Sequence, residues 1–399
     1  MPPQQPARKI IAVEDFVPLS TPCVNRTAWT YVKECLDTAW VSSSGQFVNR
    51  FEKSVADYVG VKFGVATSNG TSAIHAALLA AGVGPDEEVI VSSLTFIASA
   101  NAIRYTGAWP VFVDIEAKYW QMDSDKVKDF IVNGCLWKNG VLTNSITGRR
   151  VTAILPVHIL GHPVDIDPIR ALAEEYKIQL IEDAAESLGA LYKGKKVGGL
   201  GRASCFSFNG NKIITCGGGG MVLTNDESLA KRARYLTTQA KDDEVENIHG
   251  EVGYNYRQTN IQAALGVAQM EVLPRYIEAK RRIAERYAAG LKGVKGIGLM
   301  QESPDAFSIF WLYTILIDSS VCGVDRRELW QDLASRGIET RPLWQPLHRS
   351  PAYATLFKLS CEVAEKIQAQ ALSLPSSVNL TESQQDRVIE AVREGVSLS

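Results

Sequence analysis

The chain has 399 residues, more than the roughly 250–300 at which a single hydrophobic core usually stops growing, so two domains are expected. Apolar residues make up 46% of the sequence and charged residues 22%, which is typical of globular proteins and excludes collagen, coiled coils and disordered chains. The 42 basic and 44 acidic residues give a net charge of −2, which argues against binding to nucleic acid or to an anionic membrane.

The cysteines and the N-terminus indicate the cellular compartment. Seven cysteines are scattered along the chain without a Cys-x-x-Cys pair or zinc spacing, which favours reduced thiols and no metal site. The first residues lack the apolar segment of a signal peptide, and the longest mostly apolar stretch, near Val89–Ile103, is too short to span a bilayer. We therefore expect a cytoplasmic protein.

The first 226 residues alternate between helical and β-rich patterns after an expected loose tail at residues 1–10. Helices are predicted at Arg26–Trp40, from Phe47 to Tyr58, and at Thr71–Ala81, Ile97–Tyr105, Asp125–Val132 and Ile166–Tyr176. Strands are predicted at Phe63–Thr67, Glu88–Ser92, Pro110–Asp114, Thr152–Val157, Gln179–Glu182, Ala203–Phe208 and Met221–Thr224.

This alternation predicts an α/β fold with a large, mixed, mostly parallel seven-stranded sheet and helices on both faces. Several strands are unbroken apolar runs, as expected when both sheet faces are covered. Only a glycine-rich loop separates the last two strands, so they are expected to pair antiparallel. Residues 132–150 carry Asn-Gly and Thr-Gly pairs that predict a hairpin-like insertion.

The remaining sequence has a different pattern, with long helices predicted at 227–240, 260–269 and 274–291. A smaller α+β unit follows, with strands near 310–318 and 338–341 and helices at 326–336, 361–371 and 381–396. We therefore predict a large domain at 11–270 and a small C-terminal α+β domain at 271–399.

Three short motifs lie beside predicted strand ends. In Thr67–Ser72, Gly70 and Thr71 open a helix and could bind an anion through backbone N–H groups, although a plain Asn-Gly turn explains them equally well. Phe96 follows a buried strand and could stack on a flat ligand or simply pack in the core. Asp183 follows another apolar strand and is either a buried carboxylate with a cationic partner or a helix cap.

The fourth motif is the most informative. Lys212 follows Ser207 by five residues and precedes four consecutive glycines at 217–220, which is neither a surface lysine pattern nor a phosphate-binding P-loop. A lysine desolvated at a strand end has a lowered pKa, as a Schiff-base lysine requires. Pyridoxal 5′-phosphate explains all four motifs, since it needs an amine for its aldehyde, a carboxylate for its ring nitrogen, a stacking group, and N–H and hydroxyl donors for its phosphate.

With these motifs, the sequence resembles the fold-type I, aspartate-aminotransferase-like enzymes, and among them the DegT/StrS-type nucleotide-sugar aminotransferases. The resemblance extends from Val41–Gly45 through Gly253–Arg257 to Glu339–Pro342. It is greatest to the C-4 aminotransferases that make UDP-4-amino-4,6-dideoxy-N-acetylglucosamine for bacillosamine or legionaminic acid type sugars. Many members have Gly-Glu-Gly-Gly where this chain has four glycines.

The resemblance implies roles for individual residues. Lys212 would form the Schiff base with the cofactor and move the proton between the amine carbon and the cofactor, with pyridoxamine 5′-phosphate as the aminated form. Asp183 would pair with the ring nitrogen, Phe96 would stack on the ring, and Glu186 would lie near the cofactor and the substrate amine. The implied phosphate ligands are Gly70, Thr71, Ser207 and, from the neighbouring subunit of a homodimer, Asn255.

The substrates implied are L-glutamate and a nucleotide sugar. Because the chain is nearly neutral, a few local donors must bind the nucleotide. The candidate contacts to the nucleotide sugar or to glutamate are His158, Gly217, Gly218, Arg257, Arg341 and His348, and His158 could instead contact the 3′-oxygen region of the cofactor. His75 is expected to be a packed histidine, and Trp311 and Trp344 are expected to be core residues, with a cavity wall as the alternative.

The function expected is therefore transfer of the glutamate amino group to the C-4 keto group of a UDP-linked 4-keto-6-deoxy sugar. The same chemistry on another sugar, as in GDP-perosamine synthesis or C-3 amination on dTDP, is the alternative. A non-catalytic regulator that binds the cofactor or the sugar nucleotide is a further alternative, which the presence of Lys212, Asp183 and Ser207 together disfavours.

Overall fold

The computed structural model describes residues 16–243, 245–353, 357 and 359–397, so the tail expected at 1–10 lies outside the described residues. The helices are α1 (Arg26–Asp37), α2 (Gln46–Val59), α3 (Gly70–Ala80), α4 (Ala98–Tyr105), α5 (Ser124–Gly134), α6 (Ile166–Glu175), α7 (Glu227–Thr237), α8 (Asn260–Met270), α9 (Leu273–Leu291), α10 (Ser319–Cys322), α11 (Arg326–Ser335), α12 (Glu362–Gln370) and α13 (Glu382–Gly395).

The strands up to residue 249 are β1 (Phe63–Thr67), β2 (Glu88–Ser92), β3 (Trp109–Val113), β4 (Cys135–Lys138), β5 (Val141–Asn144), β6 (Val151–Leu155), β7 (Gln179–Asp183), β8 (Leu191–Tyr192), β9 (Lys195–Lys196), β10 (Ala203–Ser207), β11 (Gly220–Thr224), β12 (Lys241–Asp243) and β13 (Ile248–His249). The later strands are β14 (Ile297–Leu299), β15 (Ala306–Phe307), β16 (Thr314–Ile317), β17 (Arg341–Pro342) and β18 (Ala371–Ser373).

A seven-stranded sheet in the order β1-β11-β10-β7-β6-β2-β3 forms the centre of the fold, and the predicted fold class is confirmed. The strands from β10 to β3 are parallel, whereas β11 is antiparallel to both β1 and β10, with Ser207 opposite Gly220. The carboxyl ends of the parallel strands therefore meet at one edge, where ligands of such sheets bind.

Both faces of this sheet are buried, which explains its apolar strands. In β2, Val89 and Val91 belong to one hydrophobic core and Ile90 belongs to a second core. Because neighbouring strand residues point to opposite faces, these two cores lie on the two sides of the sheet.

The C-terminal part contains an antiparallel sheet in the order β14-β16-β18-β17. The strand predicted at 338–341 was placed too early, because Ile338 pairs with Val17 and the strand itself is Arg341–Pro342. The first strand of this unit was predicted too long, since β16 has only four residues. The domain limits at 270 and 271 stay a prediction.

Smaller features complete the architecture. The hairpin predicted within 132–150 is present as β4 and β5. The three-stranded sheet β15-β8-β9 was not predicted, because strands of two residues carry no periodic signal. Along the part of the chain that the structure describes, no helix is both long enough and apolar enough to cross a membrane.

Candidate active site

A cavity of about 580 Å³ opens at the carboxyl edge of the parallel strands. The large sheet and its helices contribute Gly70, Thr71, Phe96, Asp183, Glu186, Ser207 and Lys212 to its wall. The C-terminal part contributes Trp311, Arg341 and Trp344. Residues from all four sequence motifs thus line the same space, although up to 142 positions separate them along the chain.

Lys212 lies in the loop between β10 and β11, where its backbone N–H donates to the carbonyl of Asn209 at 3.1 Å. Its side chain is 13% exposed, and Nζ donates to Glu186 Oε1 at 3.3 Å. Nζ also lies 4.2 Å from the ring centre of Trp311, within the range of a cation–π contact. The amine is therefore held by a carboxylate and an aromatic face.

Glu186 is buried, and the backbone N–H of Leu160 donates to its Oε2 at 2.9 Å. Burial raises the pKa of the Glu186 carboxyl, and the Lys212 ammonium opposes that rise. Its two oxygens thus have different partners, one a backbone amide and the other the amine of Lys212. This arrangement fixes the carboxylate beside the amine and enables it to exchange a proton there.

Asp183 ends β7 and is also buried. Ser99 Oγ donates to Oδ2 at 2.7 Å, and the backbone N–H of Ala185 donates to Oδ1 at 3.1 Å. Burial raises the pKa of this carboxyl, and the hydrogen bond from Ser99 opposes the rise. A buried carboxylate with only neutral donors is suited to pairing with a cationic ring nitrogen.

The start of α3 and the end of β10 form a narrow cradle. Asn69 caps the helix, and its Oδ1 accepts from the backbone N–H of Ser72 at 2.8 Å. A Cβ atom placed on Gly70 would lie 2.8 Å from the Cβ of Ser207, so only glycine permits this approach. The N–H groups of a helix N-terminus and the Ser207 hydroxyl together suit a phosphate.

Several residues predicted to contact substrate have other partners. Arg257 Nη1 donates to Glu52 Oε1 at 3.0 Å, and His348 Nε2 lies 2.9 Å from Glu365 Oε1. Neither of them lines the cavity, nor do Gly217 and Gly218 in the loop before β11. The structure therefore does not bring these four residues to the site within one chain.

His158 is fully buried beneath the strand ends and does not line the cavity either. The backbone N–H of Val164 donates to Nδ1 at 2.9 Å, which places the ring proton on Nε2, 3.1 Å from Glu182 Oε2. Its backbone N–H donates to the carbonyl of Asp183 at 3.0 Å. Both ring nitrogens of His158 therefore have partners within the protein, and its contact with Asp183 is made by the backbone.

Arg341 is the one candidate substrate ligand that does line the cavity, where its side chain is 70% exposed and Nη2 donates to Glu339 Oε1 at 3.3 Å. Phe96 is 54% exposed in the cavity wall, so it is not a core phenylalanine. Asn255 is exposed and lies outside this cavity, pairing with Thr238 through a backbone bridge. His75 is buried, as expected of a packed histidine.

The sequence reasoning missed several residues of the site. Ser99 had no motif around it, and Asn69 was part of the Thr67–Ser72 motif without a role of its own. Trp311 was expected to be a core residue, with a cavity wall as the alternative. It is both, since it is 3% exposed and also lines the cavity beside Lys212.

Comparison with known proteins shows the family of the chain. The model of the DegT/DnrJ/EryC1/StrS aminotransferase family matches residues 22–393. The chain belongs to this family. It is accordingly an enzyme, an aminotransferase that depends on pyridoxal 5′-phosphate.

Individual relatives resemble the chain over nearly its full length. GDP-perosamine synthase of Caulobacter vibrioides is 41% identical over 380 residues, covering 94% of this chain and 97% of the relative. GDP-perosamine synthase of Escherichia coli O157:H7 is 39% identical over 379 residues, covering 95% and 98%. The solved structure of DesI in the presence of its TDP-sugar product is 28% identical with a TM-score of 0.87, covering 97% of this chain and 94% of DesI.

The residues present fit pyridoxal phosphate. The Lys212 amine matches its aldehyde, the buried Asp183 carboxylate matches its ring nitrogen, and the cradle at Gly70 and Ser207 matches its phosphate. Phe96 presents an exposed ring in the same cavity. These assignments of individual residues to parts of the cofactor are predictions.

Proposed function

We propose that this aminotransferase moves the amino group of L-glutamate to the C-4 keto group of a GDP-linked 4-keto-6-deoxy sugar. The contact between Lys212 and Glu186, in a cavity that also contains the buried Asp183, carries the aminotransferase part of the proposal. The 41% identity to a GDP-perosamine synthase over 94% of the chain supports GDP as the nucleotide. A UDP-linked acetamido sugar, which the sequence motifs favoured, is the alternative.

The overall reaction balances as an exchange of one amine and one keto oxygen. Glutamate becomes 2-oxoglutarate as the sugar ketone becomes an amine. When bound, pyridoxal phosphate carries the amino group between the two substrates and delocalises the charge left at a deprotonated carbon. Lys212 moves the proton at that carbon, and Asp183 keeps the ring nitrogen charged.

Recognition of the nucleotide sugar must depend on placed donors, because the chain has a net charge of −2. Arg341 is a cation at the cavity with a largely exposed side chain, and among the described residues the only hydrogen-bonding partner of that side chain is Glu339. Arg341 can therefore turn toward a phosphate or carboxylate of a substrate. We infer that it binds one of the two substrates.

We further infer a homodimer that works in the cytoplasm. Asn255 is exposed and outside the cavity of its own chain, as a residue that completes the site of a partner would be. All seven cysteines are unpaired, which is usual in a reducing compartment.

A substrate panel tests the proposal. The purified holoenzyme receives L-glutamate with 4-keto-6-deoxy sugars linked to GDP, UDP or dTDP, and 2-oxoglutarate release is measured, with product stereochemistry by NMR. We expect kcat/KM to be at least about tenfold higher for the GDP sugar, equivalent to about 1.4 kcal/mol. A higher value for the UDP sugar would overturn the nucleotide assignment.

The same preparation tests the non-catalytic alternative. L-glutamate alone should bleach the cofactor absorbance toward that of the pyridoxamine form in the native chain. No spectral change, with no turnover of any sugar, would show that the chain is not an active aminotransferase.

A further inference from the structure

Lys280 lies on α9 with its side chain 2% exposed, outside the site described above. Its Nζ donates to the carbonyl of Trp311 at 2.8 Å and also donates to the carbonyl of Ser376. Burial lowers the pKa of this amine to about 7, and no carboxylate of the described chain forms an ion pair with it. A methionine of similar length would fill this space without burying an amine, so packing alone does not explain a lysine here.

The first of these carbonyls belongs to the residue that covers the active-site lysine. The Trp311 ring lies 4.2 Å from Lys212 Nζ, and its Nε1 donates to the carbonyl of Asn211, the neighbour of Lys212, at 2.7 Å. Trp311 therefore restrains Lys212 through both its ring face and its indole N–H.

Trp311 is also connected, through Leu160, to Glu186, the carboxylate that accepts a hydrogen bond from Lys212. Its backbone N–H donates to the carbonyl of Leu160 at 2.9 Å, and the N–H of Leu160 donates to Glu186 Oε2 at 2.9 Å. Glu186 in turn accepts from Lys212 Nζ. These contacts form a closed ring of Lys212, Glu186, Leu160 and Trp311, and Lys280 is attached to its Trp311 corner.

The second carbonyl ties this ring to another wall of the cavity. The Ser376 hydroxyl accepts from the backbone N–H of Tyr313 at 3.0 Å, and the backbone N–H of Ser376 donates to the carbonyl of Leu19 at 2.7 Å. Leu19 itself lines the cavity. Lys280 thus links the segment that contains Trp311 to the segment that contains Ser376. We infer that this link helps to fix the position of the Trp311 ring.

We propose that Lys280 is a positioning residue, which holds Trp311 against Lys212 so that the Lys212 amine faces the cofactor aldehyde. The inference rests on the proposed role of Lys212 but not on the identity of the sugar. Trp311 makes three hydrogen bonds, with Lys280, Leu160 and Asn211. Without the Lys280 amine it keeps two of them, and the Lys212 amine then samples more orientations. Small misplacements of a reacting group slow a reaction severely.

Loading of the apoprotein tests this directly, with pyridoxal phosphate alone and no sugar or glutamate. The amine condenses with the aldehyde and releases water, and borohydride then adds hydride to the carbon–nitrogen double bond, leaving a stable adduct that mass spectrometry counts. We expect Lys280→Met to slow formation of the Lys212 adduct at least about fivefold. Tyr287→Phe is the matched control, because it removes a buried hydrogen bond from the same helix to the carbonyl of Pro375 without touching Trp311.

A double-variant cycle shows whether Lys280 acts through Trp311. Trp311→Phe should slow adduct formation as well, and adding Lys280→Met to it should cause little further change, since the two act in one chain of contacts. Lys280→Arg, which keeps donors for both carbonyls, should recover part of the rate. It also provides a folded variant if Lys280→Met does not fold.

The proposal is overturned if Lys280→Met loads at the native rate, if it slows no more than Tyr287→Phe, or if its effect multiplies with that of Trp311→Phe. A failed sugar assignment would leave all of these loading rates unchanged, so the two failures are distinguishable.

Discussion

The Nζ atom of Lys212 lies 3.3 Å from Oε1 of Glu186, and both side chains are largely withdrawn from solvent. The carboxylate is anchored independently by the backbone N–H of Leu160. The amine of Lys212 is therefore held in place before any cofactor arrives, and this contact must break or rearrange when the amine reacts with an aldehyde.

Replacing Lys212 tests its central assignment. Lys212→Arg keeps a cation beside Glu186 but removes the primary amine that condenses with an aldehyde. We expect no borohydride-trapped adduct and loss of glutamate-dependent turnover, with the melting temperature close to native. Lys193→Arg, at an exposed ion pair with Asp167, is the control and should keep both properties. Turnover by Lys212→Arg would refute the assignment.

Asp183→Asn should reduce turnover at least about 100-fold, because it removes the buried charge expected to oppose the cofactor ring nitrogen. In the apoprotein, by contrast, the same substitution should increase stability. Burial raises the pKa of Asp183, so the native state keeps a proton that the unfolded chain releases. The free energy of unfolding of the native apoprotein therefore falls as pH rises from the ordinary aspartate pKa through the raised pKa of Asp183. Asparagine does not titrate, so the variant does not lose this stability.

Melting temperatures of the native and Asp183→Asn apoproteins between pH 4 and pH 8 check this sign. The variant should become increasingly the more stable of the two as pH rises. Asp226→Asn is an opposite control, because hydrogen bonds from Ser228, Leu229 and Arg202 lower the pKa of Asp226. The stability that the ionised Asp226 provides is lost only as pH falls below the ordinary aspartate pKa of about 4, so that variant should be less stable than the native chain by a nearly constant amount between about pH 5 and pH 8. If the melting temperatures of Asp183→Asn and of the native protein changed equally with pH, the prediction would be contradicted.

Gly70→Ala should weaken cofactor binding about tenfold through a steric effect. The new Cβ would lie 2.8 Å from the Cβ of Ser207, so the start of α3 and the end of β10 must separate. Combining it with Ser207→Gly removes the collision and should restore the melting temperature, although the phosphate still lacks one hydroxyl. Gly210→Ala, with open space around its Cβ, is the neutral control. Cofactor titration of each apoprotein measures the affinities.

Arg257→Met should lower stability by about 2 kcal/mol, with little change in the KM for the nucleotide sugar. Its partner Glu52 is buried and also accepts from Arg234 and from the N–H of Ala66, so the ion pair joins α2, β1 and α7. Denaturant unfolding and steady-state kinetics separate the two effects. An increased KM at unchanged stability would instead favour the role in substrate binding.

Mixing two inactive variants tests whether the site is shared between subunits. Lys212→Ala removes the amine of its own site, whereas Asn255→Ala would damage only the site of its partner. After equal amounts are unfolded and refolded together, random pairing should restore about a quarter of the native activity, because half of the dimers each contain one intact site. If Asn255→Ala is fully active alone, or if the mixture stays inactive, the shared site is refuted.

The sequence predicted the large sheet because several of its strands are apolar runs and most of them alternate with helices of clear periodicity. It also identified Gly70, Phe96, Asp183, Ser207 and Lys212 as parts of one site, since all follow or adjoin predicted strands of the same sheet. It failed with β8, β9 and β15, which are two residues long and pair only because the chain returns to them. It also placed the strand at 338–341 too early, because Ile338 forms an isolated bridge to Val17 and the strand itself begins at Arg341.

By itself, the sequence determined the fold class and predicted which residues meet at the cavity, because strand periodicity and motifs at strand ends are local properties of the chain. Only the tertiary structure decided which charged side chains remain available for substrate. Arg257 pairs with Glu52, 205 positions away, and His158 pairs with Glu182 beneath the sheet edge. Packing brings these distant segments together, and a buried charge is stable only beside an opposite charge or a hydrogen-bonding group. The spacing of residues along the sequence does not show which distant residue will provide it.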